Sequence, residues 1–153
     1  MTSPTELIPW PRHSADDERA GDGRERPTPE ADTPAGAVSL LLDARSRLHE
    51  AAEADLAGER FIAAHIAALR AASAVVVARA GQREGKPASV WTLLTDAAPE
   101  LREWAAYFAA RSDRRAVAEA GVPITTASEA DELLARSERF LGIVGNSLLG
   151  AAR

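Results

Sequence analysis

ERFIAAHIAALRAASAVVVAR, residues 59–79, is a long apolar stretch without glycine or proline. Between its first turn and its last residue, His65, Arg70 and Ser73 are the only polar side chains. A helix that is apolar on nearly every face must lie in the centre of a bundle or in a subunit interface. The stretch therefore predicts a central helix, and it raises the question of why such a helix carries Arg60, His65 and Arg70.

Helical periodicity continues on both sides of this stretch. Apolar residues three and four apart predict a first helix from Ala37 to near Gly58. Three short helices follow the central one. Ser89 can cap the first, Pro99 suits the first turn of the second, and Gly121 ends the third.

A last helix begins where the spacing of a capping box occurs twice. The pair is either Thr126 with Glu129 or Ser128 with Asp131. The 34 alanines and 17 arginines favour helix, and no stretch alternates as a half-buried strand does. The sequence therefore predicts an all-α domain over residues 37–153, a compact bundle of about five helices.

The first 36 residues differ from the rest in composition. They hold eight acidic residues against four arginines, six of the nine prolines, and no apolar periodicity. Residues 1–36 are therefore predicted to be a disordered, acidic, proline-rich tail. It contains a short apolar island, LIPWPR at residues 7–12, in which we expect Trp10 to be exposed; the island is either an incidental apolar spot or a motif that docks on a partner.

Composition also excludes several classes of function. The chain has no cysteine, which excludes disulfides, zinc ribbons and thiol catalysis. No glycine-rich phosphate loop and no metal-ligand spacing of His and carboxylate residues is present, so no cofactor and no metal are expected. The net charge of −5 argues against broad coating of nucleic acid. Without a membrane span or a leader pattern, we expect a soluble cytoplasmic protein.

Arg60 and His65 are the candidate catalytic pair. Histidine is the side chain that can act as base and acid near neutral pH, and arginine can stabilise a charged phosphoryl group. The alternative for His65 is a core residue hydrogen-bonded to a carbonyl or a carboxylate. The alternative for Arg60 is a solvent-exposed partner of Glu53 or Glu59.

Four more arginines are candidates for binding phosphate. Arg70 lies in the central helix, whereas Arg111, Arg114 and Arg115 form a basic cluster in RSDRR. Guanidinium groups bind phosphate in a bidentate manner. The alternative for the cluster is a set of surface arginines that satisfy a helix end.

Three blocks of sequence, taken in order, resemble one protein family. They are residues 59–79, then WTLLTDAAPELREWAAYFAARSDRRAVAEAG at residues 91–121, then SEADELL at residues 128–134. Together they are similar to the SAV-type HEPN domain family of bacteria, over roughly residues 38–148. Members of the HEPN superfamily are helical bundles.

The resemblance implies a function as well as a fold. Many HEPN domains dimerise and cut RNA without metal through an Arg-x(4–6)-His motif at the dimer interface, and Arg60 and His65 match that spacing. On this basis we expect a homodimer that binds RNA or a nucleotide, as a metal-independent endoribonuclease or a binder. An antitoxin or a nucleotidyltransferase is the kind of protein partner implied. The alternative is a non-catalytic module for protein interaction, with the bundle as scaffold.

Overall fold

A computed structural model describes residues 33–80 and 88–150 of the chain. Within these ranges the chain forms six α-helices and one 3-10 turn, and no β-strand. The elements are α1 (Ala35–Glu53), α2 (Ala57–Ala80), α3 (Val90–Ala97), the 3-10 turn (Pro99–Leu101), α4 (Arg102–Ala109), α5 (Ser112–Glu119) and α6 (Ala127–Leu148). The predicted all-α bundle is confirmed. Residues 1–32 of the predicted tail, with Trp10, lie outside the described residues.

Helix α2 lies at the centre of the bundle, as its sequence predicts. It packs against α1 and α6 most extensively, and against α3 and α5 as well. Thirteen of its 24 residues are buried. By length and composition α2 could also cross a membrane, but 72% of its most apolar window is buried inside the bundle. The apolar surface of α2 is therefore covered by other helices of the same chain.

The end of α1 differs from the prediction. The helix ends at Glu53 rather than near Gly58, and Gly58 lies in the first turn of α2. Ala54 adopts an extended backbone, with φ −70° and ψ 134°, which breaks the helical path. The side chain of Arg60 reaches back to the carbonyls of Ala51 and Ala54 at this break. The periodicity of α1 could not show this, because the group that completes its end comes from the next helix.

Three other helix boundaries follow the local signals in the sequence, whereas α1 begins at Ala35, two residues inside the predicted tail, and Pro99 begins the 3-10 turn before α4. The Ser89 hydroxyl accepts a hydrogen bond from the backbone N–H of Trp91 at the start of α3. At the start of α6, Thr126 and Glu129 form a reciprocal capping box, so the first of the two predicted pairs is the one used. Gly121 follows α5 with φ +86°, a conformation that glycine adopts without steric cost.

Aromatic rings from α3, α4 and α6 form the part of the core next to α2. Trp91 and Phe108 stack with ring centres 5.5 Å apart, and Phe108 lies 5.2 Å from Phe140. The imidazole of His65 meets the edges of Trp91 and Phe108 at 5.9 and 6.3 Å. His65 is therefore held inside an aromatic cluster, where water has no access.

Candidate functional site

His65 is fully buried, and both of its ring nitrogens are hydrogen-bonded. Nε2 lies 2.8 Å from the carbonyl oxygen of Phe108, and Nδ1 lies 3.0 Å from Nη1 of Arg115. A carbonyl can only accept and a guanidinium can only donate. The ring is therefore the neutral Nε2–H tautomer, which donates to Phe108 and accepts from Arg115. The interpretation of His65 as a core histidine bonded to a carbonyl agrees with this geometry.

This environment keeps His65 neutral. The pKa of His65 is lowered from 6.5 to about 4, chiefly because burial disfavours the charged ring; the hydrogen bond to Phe108 acts in the opposite direction, and the nearby charges of Arg115 and Arg111 add to the lowering. A protonated imidazole would have to give up its bond from Arg115, because neither group could then accept. Near neutral pH, His65 is therefore an uncharged acceptor for a buried arginine.

Arg115 differs most from the expectation for its residue type. The sequence places it in a surface cluster with Arg111 and Arg114, but its side chain is fully buried. Besides His65, it faces Glu119 on the same helix, with Nε 3.7 Å from the carboxylate. The surface placement is wrong for Arg115, because its helix turns this side chain inward against α2. The described side chain cannot meet a phosphate in solvent.

Arg60 joins three elements of the bundle. Its Nε and Nη2 donate to the carbonyls of Ala51 and Ala54, at 3.2 and 2.6 Å, and its Nη1 donates to the carboxylate of Asp131 at 2.6 Å. The alternative of pairing with Glu53 or Glu59 is therefore not the one observed. All three nitrogens of this guanidinium are engaged within the chain.

Arg60 and His65 point to different parts of the molecule. Five residues apart, they are turned about 140° from each other on an α-helix. Arg60 serves the α1–α2 junction and the first turns of α6, whereas His65 faces α4 and α5. Among the described residues, the two side chains have no contact partner in common.

The remaining candidate arginines divide between two sides of α2. Arg70 pairs with Asp43 of α1 at 3.0 Å. It follows Phe61 by nine residues, which is roughly half a turn away around the helix. Arg111 and Arg114 lie on the side of Phe61 and line one cavity with it. The structure therefore brings Arg111 and Arg114 together and leaves Arg70 on another face.

The cavity beside Arg111 measures about 460 Å³ and lies where α2, the α4–α5 junction and α6 meet. It is lined by Phe61, Tyr107, Ala110, Arg111, Arg114, Glu129 and Glu132. Arg114 binds both oxygens of Glu129, at 2.7 and 2.6 Å. The guanidinium of Arg111 instead covers the ring of Tyr107, with 3.5 Å between its carbon and the ring centre. Sequence reasoning found the two arginines but missed Tyr107, Glu129 and Glu132, which no local motif connects to them.

Comparison with known families gives one further finding. The model of a protein family described as HEPN_SAV_6107-like HEPN matches residues 51–145, which is more than half of the chain. The match runs from the last turn of α1 almost to the end of α6 and includes Arg60, His65 and the Arg111 cavity. No curated protein and no solved structure matches the chain.

Proposed function

Because the chain belongs to the HEPN_SAV_6107-like HEPN family, we propose that it uses this bundle as a non-catalytic module that acts by binding. In this proposal, the Arg-x4-His motif has a structural role and no catalytic one. Arg60 closes the end of α1, and His65 holds a buried arginine.

One observation carries the proposal, namely the complete engagement of His65. A general base must come within hydrogen-bond reach of the proton that it abstracts, and its pKa should lie near the working pH. His65 has no exposed surface, both of its nitrogens are bonded, and its pKa is lowered to about 4. A base this weak and this enclosed is poorly suited to taking a proton from a ribose hydroxyl.

An RNA cleavage assay tests the proposal directly. Purified protein is incubated with a mixed-sequence RNA in EDTA, and the products are examined for 2′,3′-cyclic phosphate ends. We expect no cleavage above a buffer control. Cleavage by the wild type that disappears in both Arg60→Gln and His65→Asn, with folding intact, would overturn the proposal.

A metal-independent endoribonuclease is the second candidate. It is favoured by the Arg60–His65 spacing, which lies inside the region that matches the HEPN family model. In this candidate a second copy of the chain brings the motifs together, RNA is the ligand, and His65 leaves its core site. Light scattering at micromolar concentration checks the first requirement, since a dimer has twice the 16.2 kDa chain mass. A monomer that does not bind RNA would exclude this candidate.

A further inference from the structure

We infer that the cavity around Arg111 is a binding site for a small organic carboxylate. The carboxylate meets the free edge of the Arg111 guanidinium, and the apolar part of the ligand lies against Phe61 and Ala110. This site goes beyond the proposed function, because it assigns a ligand class to a cavity that the Arg60–His65 pair does not form.

The hydrogen bonding of Arg111 leaves one edge of its guanidinium for a ligand. Its Nη1 donates to the carbonyl of Tyr107 at 2.7 Å, while the ring of the same residue supports the guanidinium face. Nε and Nη2 have no acceptor among the described residues, and no described carboxylate forms an ion pair with Arg111. Nε and Nη2 form the fork that binds a planar carboxylate through two parallel bonds.

The position of Arg111 is already fixed before a ligand arrives. Its stacking on Tyr107 and its bond to the backbone hold the guanidinium, so binding costs little side-chain entropy. Phe61 and Ala110 give the same cavity apolar surface, and its volume of about 460 Å³ is of the size that small-molecule sites have. A fixed charged group beside apolar walls suits an anion that carries an apolar body.

The charges around the cavity favour a carboxylate over a phosphate. Arg111 and Arg114 balance Glu129 and Glu132, so the four lining charges sum to zero without a ligand. A carboxylate adds one negative charge, whereas a phosphate monoester adds nearly two at pH 7.5. Since Glu132 lines the cavity and Arg114 is already paired with Glu129, the second charge of a phosphate meets repulsion from the Glu132 carboxylate. The ligand is therefore expected to be a monoanion.

Isothermal titration calorimetry of the full chain at pH 7.5 tests this inference with three probes of similar size. Benzoate is the carboxylate, benzamide its neutral counterpart, and phenyl phosphate the dianion. We expect benzoate to bind with a Kd of about 1 mM, the affinity within reach of so small a ligand. Benzamide should bind at least about tenfold more weakly, because it lacks the charge-assisted bonds to Arg111. Phenyl phosphate should bind more weakly than benzoate.

Two variants with opposite effects locate the site. Arg111→Gln should weaken benzoate binding at least about tenfold, because the charged fork is lost. Glu132→Gln should strengthen binding by a few-fold, because it removes a like charge from the cavity wall. Arg139→Gln is the matched control, since Arg139 is an exposed arginine of α6 that does not line the cavity, and it should leave affinity unchanged. An increase in the affinity for benzoate in Glu132→Gln cannot come from misfolding.

Three results would overturn the carboxylate site. They are no heat from benzoate at about 20 mM, equal affinity in the wild type and a folded Arg111→Gln, or tighter binding of phenyl phosphate than of benzoate. The third would indicate a phosphate site instead. RNA cleavage, by contrast, would overturn the proposed function without affecting this inference. The proposed function and the carboxylate site can therefore be contradicted independently.

Discussion

His65 and Arg115 form one buried polar unit in a core of alanine, valine and aromatic side chains. Nη1 of Arg115 donates to Nδ1 of His65, and Nε2 of His65 donates to the carbonyl of Phe108. A buried arginine without an acceptor would be costly, because its charge has lost water. The neutral imidazole supplies an acceptor for Nη1 of Arg115. His65 therefore has a structural reason to be histidine in this chain.

A double-mutant cycle measures this unit. His65→Leu fills the space but leaves Nη1 of Arg115 without its acceptor, so we expect a loss of about 3 kcal/mol in the free energy of unfolding. Arg115→Met leaves Nδ1 of His65 without its donor and should cost about 2 kcal/mol. The double variant should lose at least about 1 kcal/mol less than the sum, because both partners are gone. Urea unfolding gives all three values.

The control for this cycle is Arg139→Met, which changes an exposed arginine of α6. It should change the free energy of unfolding by less than about 0.5 kcal/mol. Strictly additive losses in the two core variants would mean that His65 and Arg115 do not support each other.

The lowered pKa of His65 also predicts how stability depends on pH. The unfolded chain binds a proton at His65 near pH 6.5, whereas the folded chain does so only near pH 4. Between these values the unfolded state holds more protons, so the free energy of unfolding falls as pH falls. From pH 7.5 to pH 5.0 we expect a loss of about 2 kcal/mol from this residue.

Urea unfolding at the two pH values, in the wild type and in the His65→Leu/Arg115→Met variant, isolates this contribution. The difference between the two proteins should narrow at the lower pH by about 2 kcal/mol, since the variant has no His65 to protonate. An equal change in the free energy of unfolding with pH in both proteins would show that His65 is not a buried neutral group.

The junction of α1 and α2 depends on one side chain from the helix that follows it. Arg60→Gln should lower the free energy of unfolding by about 2 kcal/mol, because the carbonyls of Ala51 and Ala54 lose their donors. Asp131→Asn is the matched control. It removes only the exposed ion pair and should cost less than about 1 kcal/mol. Amide exchange at the last turn of α1 should accelerate in Arg60→Gln alone, and equal effects of the two changes would assign the junction to the ion pair.

The boundaries of the helices show which structural features can be predicted from the sequence and which cannot. Ser89 and the Thr126–Glu129 pair act on backbone groups two or three residues away, so a local pattern predicts them. Arg60 and Arg115 act across longer separations. The bond between His65 and Arg115 spans 50 residues of chain. An arginine is expected at the surface by default, and only the packing of α5 on α2 shows that Arg115 is buried.

Packing within the bundle explains why α2 is so apolar, and this explanation does not require a second copy of the chain. Helices α1, α3, α5 and α6 cover it within one chain. The Arg111 cavity lies where α2, the α4–α5 junction and α6 meet. Of the candidate site, the sequence could identify the arginines but not their surroundings. Arg111 and Arg114 are separated from Glu129 and Glu132 by the turn after α5, so the packing of α6 alone brings these four charges together.

The N-terminal limit of the bundle gives the last prediction. Helix α1 begins at Ala35, the N–H groups of Ala37 and Val38 donate to the carbonyl of Pro34, and the Thr33 hydroxyl donates to the carbonyl of Leu148 at 2.8 Å. Deleting residues 1–32 should leave the melting temperature within about 1 °C, because an acidic, proline-rich segment without apolar periodicity does not contribute to a core. Deleting residues 1–36 also removes the Pro34 carbonyl, which accepts from two N–H groups of α1, and this tertiary bond, at a cost of about 1–2 kcal/mol, and should lower the melting temperature by about 5 °C. Thermal melts followed by circular dichroism compare the two forms. A large drop in the shorter deletion would show that the acidic segment packs on the bundle.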